Sequence, residues 1–199
     1  MVRPIVIGVG GYTSSVGKTT LLCALLRAFP GWEAIKTSRG HYRSCGKDPE
    51  ACCVSSLLST EPLIRSGWEQ TYVNGKDTGR YWDAGAANVH WLIATDEQLE
   101  AGIKEALTRV KAPGVFVEGN SFSRFVQPDH FVMVRQAGNP KIKKSARELL
   151  SKATAFYVSD GETESDPGDS LVSEAPPLFT PASIFSLIGY LQWNRSKFY

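Results

Sequence analysis

Residues 10–20, GGYTSSVGKTT, stand between an apolar run, PIVIGV, and the stretch LLCALLRAF. A glycine-rich turn that leaves a strand and opens a helix offers unpaired backbone N–H groups and the positive end of the helix dipole, which suits a phosphate. The usual spacing is Gly, four residues, then Gly-Lys-Ser/Thr. Here five residues separate Gly11 from Gly17, so the loop is one residue longer and keeps all of these groups. The expected nucleotide-binding set is Gly11, Thr13, Ser14, Ser15, Val16, Gly17, Lys18, Thr19 and Thr20. Lys18 is the cation expected to meet the terminal phosphates, and the Thr19 hydroxyl is expected to bind Mg²⁺. A metal calls for an acid, and Glu118 ends the run GVFVE at the strand edge where open α/β sheets bind ligands. Glu118 could instead cap a following helix. Lys36 is expected near the same edge.

Positioning these groups requires alternating strands and helices. Strands are expected at 4–9, 32–37, 89–94, 114–118, 130–135 and 154–158, several as near-continuous apolar runs that suit a parallel sheet buried on both faces. Helices are expected at 18–29, 77–86, 96–110 and 142–152, with a C-terminal helix near 181–193. In 96–110, Leu99, Ile103, Leu107 and Val110 make one apolar face. The pattern implies an α/β P-loop NTPase fold, a mainly parallel central sheet flanked by helices, as one domain over 1–199. Two regions break the rhythm: a Cys/His-containing insert at about 38–74 and an acidic, Pro/Gly-containing loop at 160–177.

The bulk numbers narrow the class of function. With 42% hydrophobic residues, 21% charged residues and a net charge of +2, the chain is ordinary for a soluble globular protein and suggests neither nucleic acid nor membrane as a partner. No run of the length needed for a spanning helix is present in the sequence, and a cytoplasmic location with reduced cysteines is expected.

Four stretches, GGYTSSVGKTTLL, IKTSRGH, GKDTGRYWDAGA and VFVEG, follow the order seen in the MobB family of molybdopterin-guanine dinucleotide biosynthesis proteins, which the chain resembles over about residues 1–135. The third stretch carries most of the resemblance: Gly75-Lys76-Asp77-Thr78, Arg80 two residues later, then Ala84-Gly85-Ala86. The resemblance implies the P-loop class shared with dethiobiotin synthetase and the nickel-insertion GTPases, with GTP as ligand. It also implies an accessory role beside a molybdenum cofactor guanylyltransferase, and it puts Asp77 near the metal or terminal phosphate with Arg80 as an anchor. The longer loop is similar to dethiobiotin synthetase, and the sequence Gly119-Asn120-Ser121-Phe122 departs from MobB. No Asn-Lys-x-Asp guanine-reading motif is evident, so ATP stays open beside GTP.

Cys45, Cys52 and Cys53, with His41 nearby, are spaced unlike a zinc site and are expected to be unliganded thiols. The alternative is a soft-metal site, which a homodimer could share. Cys23 is expected in the core. The functions left in play are slow Mg²⁺-dependent GTP or ATP hydrolysis as a MobB-like accessory protein, with Lys18, Glu118 and Asp77 catalytic; a metal-insertion NTPase; an ATP-dependent ligase; and a nucleotide-binding module without turnover.

Overall fold

The computed structural model describes residues 3–40, 57–160 and 176–195. Within them lie β1 (Ile5–Gly11), β2 (Glu33–Arg39), β3 (Leu63–Ser66), β4 (Val89–Ala94), β5 (Gly114–Glu118), β6 (His130–Arg135), β7 (Ala155–Val158) and β8 (Leu178–Phe179). They join in one sheet of order β3-β4-β2-β5-β1-β6-β7-β8. Every pairing is parallel except β3 with β4. The helices are α1 (Lys18–Ala28), α2 (Trp68–Thr71), α3 (Asp77–Asp83), α4 (Leu99–Thr108), α5 (Lys144–Arg147) and α6 (Ile184–Arg195). This is a mainly parallel α/β architecture with a central sheet flanked by helices, as the sequence suggests.

Side-chain alternation along the strands sends each face of the sheet into its own core. Ile5, Ile7 and Val9 pack with Leu21, Leu22, Leu25 and Leu26 of α1 and with Leu187 and Leu191 of α6. Val6, Val115 and Val117 pack with Leu99, Ile103 and Ala106 of α4. Burial on both faces explains why these strands read as continuous apolar runs.

Besides the short elements α2 and β8, absent from the expected set, the elements depart from expectation in three places. β3 runs antiparallel along the outer edge of β4, within the segment expected to be an insert; residues 41–56 of that insert, with His41, Cys45, Cys52 and Cys53, lie outside the described residues. The single helix expected at 142–152 is α5 followed by a separate 3₁₀ turn, Leu150–Lys152. The helix expected to run to residue 86 stops at Asp83, and Gly85 takes φ 90°, a conformation that ends a helix cheaply only at glycine. Among the described residues no helix is long and apolar enough to cross a membrane.

Candidate functional site

β1 and α1 are joined by the loop Tyr12–Gly17, and its backbone is curled: Ser15 has φ 59° and Gly17 φ 93°. Ser15 is the one non-glycine residue with positive φ among those described. Such a conformation costs about 1 kcal/mol or more and is found where a loop is held for function. No side chain caps the start of α1, so its first N–H groups face the loop without a competing side-chain oxygen.

The sheet register brings the charged groups to this loop. Glu118, the last residue of β5, stands level with Val9 of β1 on one side and Lys36 of β2 on the other. Neighbouring side chains at the same level of a parallel sheet share a face, and here that face looks toward α1. Lys36 Nζ lies 2.6 Å from Glu118 Oε1 and 2.6 Å from Asp77 Oδ2. Thr19 Oγ1 donates to Glu118 Oε2 at 2.9 Å, and the buried Tyr81 hydroxyl donates to the same oxygen. Arg80 donates to Thr20 Oγ1 at 3.1 Å, tying α3 to α1. Glu118 is 3% exposed, so it is a buried carboxylate held by an ammonium and two hydroxyls.

The electrostatics follow from this packing. Burial works against the charged form of Lys36, yet Glu118 and Asp77 outweigh it and raise the ammonium above its ordinary pKa. Burial likewise opposes ionisation of Asp77, but the hydrogen bond from Lys36 prevails and lowers it. Lys18 moves the other way: burial lowers it, Lys36 and Lys143 add to the effect, and Glu118 and Asp77 resist. Tyr81 is pushed well up by burial and by the Glu118 charge, so its hydroxyl stays a donor.

A cleft of about 480 Å³ collects these groups, lined by Ser14, Ser15, Gly17, Lys18, Thr19, Thr20, Lys36, Asp77, Arg80 and Glu118. Gly11 and Thr13 line a second, smaller cleft on the other side of Lys18. Val16 is 1% exposed and its side chain belongs to the core beneath the loop, leaving its backbone as the part that can meet a ligand. Of the expected set, Ser14, Ser15, Gly17, Lys18, Thr19 and Thr20 therefore line the larger cleft, Gly11 and Thr13 the smaller one, and Val16 lines neither.

Some contributors give little signal in the sequence. Tyr81, with Trp68, Tyr72 and Trp82, reads as packing, and the latter three do pack together, with Trp68 stacked on Tyr72 at 3.9 Å. Tyr81 instead delivers its hydroxyl to the acid. Asn120 is the other: its Nδ2 donates to the Gly11 carbonyl at 2.9 Å and its Oδ1 accepts from the Gly11 N–H at 2.8 Å. An amide side chain thus pairs with the chain where β1 enters the loop. The clue was the odd residue after Glu118-Gly119.

The donor set suits a hard divalent cation: the Thr19 hydroxyl and the carboxylates of Asp77 and Glu118 are oxygen ligands of the kind Mg²⁺ takes. Among the described residues no three His, Cys, Asp or Glu side chains converge, so such an ion would fill its remaining positions with phosphate oxygens and water.

No protein-family model matches the chain, and no curated protein matches it. Among solved structures it is similar to a crystal structure of LpxK from Aquifex aeolicus in complex with ATP, at 19% identity and TM-score 0.49. The match covers 88% of this chain and 53% of the other, so the chain spans about half the length of that protein.

Proposed function

We propose that the chain binds a Mg²⁺-nucleoside triphosphate, GTP or ATP, through residues 11–20 and cleaves its terminal phosphate slowly. The observation that carries this is the convergence of Lys18, Thr19, Lys36, Asp77 and Glu118 on one cleft beside a curled glycine loop. Cations there offset the charge of the terminal phosphates, and phosphoryl chemistry depends chiefly on such positioning and charge stabilisation.

Each group has a part. Lys18 meets the β- and γ-phosphates as a point charge. Thr19, Asp77 and Glu118 would hold Mg²⁺, which when bound neutralises phosphate charge. Lys36 keeps both acids paired until then. Asp77 is the acid that faces the open cleft, its side chain 40% exposed, and it orients the attacking water. Tyr81 fixes Glu118 from below.

The finer role rests on the MobB resemblance: a GTP-binding accessory protein beside a molybdenum cofactor guanylyltransferase. Titrating GTP and ATP in parallel with Mg²⁺ tests that role, since tighter ATP binding by tenfold would argue for a kinase-like or ligase-like activity. The activity itself is tested by Glu118→Gln. The variant is expected to bind nucleotide and to hydrolyse it at least about tenfold more slowly, because the amide withdraws a negative charge from the metal shell. Wild-type turnover in that variant would remove Glu118 from the mechanism.

A further inference from the structure

We infer that the smaller cleft beyond Lys18 binds a second ligand, a small polar molecule carrying an oxyanion, next to the nucleotide's terminal phosphate. This rests on the nucleotide site proposed above. The cleft measures about 190 Å³, and its lining includes Thr13, Lys18, Arg39, Asn120, Lys143 and Ser145. The two clefts share Lys18 and differ in charge balance. In the larger one Asp77 and Glu118 offset the cations Lys18, Lys36 and Arg80; no carboxylate is among the residues lining the smaller one, whose cations are Lys18, Arg39 and Lys143.

These cations are held in place from separate elements. Lys143 precedes α5; its backbone N–H donates to the Tyr12 carbonyl at 2.9 Å, and its Nζ donates to Ser14 Oγ at 2.7 Å. It thus lies across the phosphate loop. Arg39 ends β2, and Asp96 engages its Nη1 at 3.1 Å from outside the cleft. Lys18 enters from α1. Three cationic residues lining one hollow that no acid lines favour an anion, and charge-assisted hydrogen bonds are the means of holding it. The hydroxyls of Thr13 and Ser145 add neutral donors.

Size limits the ligand. A volume of about 190 Å³ falls below the ~300–1,000 Å³ usual for sites that enclose a drug-sized molecule. It fits a phosphate or carboxylate head group. A larger body has room in an adjoining cleft of about 400 Å³ that shares Arg39, Lys143 and Ser145. There Asp96 and Glu148 are paired with Arg39 and Arg124. A head group drawn into the smaller cleft is therefore brought beside the phosphate that Lys18 holds.

The test uses the full chain saturated with Mg²⁺ and the non-hydrolysable imido analogue of ATP, titrated calorimetrically with orthophosphate and, separately, with malonate. Saturable binding to the nucleotide-loaded protein is expected, weakened at least about tenfold by Arg39→Gln and largely regained in Arg39→Lys. Nucleotide affinity should change by less than about twofold in both variants, since Arg39 lies outside the nucleotide cleft. Orthophosphate as the better probe assigns a phosphate-bearing ligand; malonate as the better probe assigns a carboxylate. Two results overturn the inference while leaving the nucleotide site standing. One is anion binding that Arg39→Gln does not weaken. The other is anion binding only with ADP, abolished by the imido analogue, which would mark the γ-phosphate position. Failure of the Mg²⁺-nucleotide to bind at all overturns the proposed function itself, and this inference with it.

Discussion

Lys36 is the residue on which the charges of the cleft balance, since its ammonium is bonded to both acids. Replacing it with Met leaves Glu118 and Asp77 without their cation inside the protein, and loss of one partner of a buried pair is costly. Lys36→Met is expected to lower stability by about 2–4 kcal/mol, discounted from a fully buried pair because Asp77 is half-exposed. Added Mg²⁺ should recover part of that loss, measured by urea unfolding with and without the ion; no recovery would argue against a metal at these acids. Lys18→Ala should have the opposite profile. Burial disfavours its charge, so the fold should be kept, while nucleotide affinity falls about 100-fold or more through lost charge-assisted bonds to phosphate. Unchanged affinity by calorimetry would overturn the loop assignment.

A second buried carboxylate, remote from the cleft, sets a pH limit. Glu33 at the start of β2 accepts from the N–H groups of Lys111 and Ala112 at 2.9 and 3.0 Å and bonds His90 Nε2 at 2.8 Å, while His90 Nδ1 meets Ser66 Oγ. Burial opposes its charge, yet these bonds win and lower its pKa below the ordinary 4.5. A carboxylate lowered in the folded state stabilises fully above its unfolded value and loses that contribution as pH falls through the folded one. Stability should therefore drop below about pH 4.5, and Glu33→Gln should flatten that limb of the profile. An identical acid limb in the variant would assign the loss to other groups.

At the scale of elements, the loop entry is held by strand pairing on its β6 side and, past the end of β5, by a side chain. Asn120 uses both ends of its amide on Gly11, donor to carbonyl and acceptor to N–H. Asn120→Asp keeps the shape but turns an anionic oxygen toward the Gly11 carbonyl, so two acceptors face each other. The expected cost is about 1–3 kcal/mol in unfolding free energy, with weaker nucleotide binding because the loop entry is no longer pinned. Equal stability and affinity in the variant would reduce Asn120 to a bystander. Gly119 just before it leaves no alternative route: its φ is 145°, and a Cβ there would stand 2.1 Å from Thr37 Oγ1.

These same elements show how much was legible in the sequence. β1, the loop, α1, β4 and β5 were readable because burial on both faces leaves an unbroken apolar run, and because glycine and lysine spacing marks the turn. Glu118 and Asp77 could be nominated, yet the cation that joins them was only placed near the edge, since strand order and register are set by pairings between distant segments. β3 was hidden for a local reason: a four-residue edge strand with every residue half-buried carries no clear alternation. β8 has only two residues and offers no period at all. The split of the 142–152 helix was hidden too, because a short helix and a 3₁₀ turn bury the same side chains a continuous helix would, here Ala146 and Leu149.

At the scale of the whole molecule, the sheet places β5 and β6 on either side of β1 although both come far later in the chain. Gly11 and Asn120 are 109 residues apart, and Lys143 reaches Ser14 across 129. During synthesis, then, the glycine loop leaves the ribosome long before anything exists to hold it: no Glu118 for Thr19, no amide for Gly11, no lysine across Ser14. Contacts of such separation are slow to close, and the early β1–α1 unit must wait with its apolar strand unpaired. Ribosome-bound chains halted at residue 112 should neither retain a nucleotide nor resist protease near β1, whereas chains long enough to expose residue 160 should do both. Competence to bind is therefore expected to be acquired late, so a product cut short before β5 would be inert.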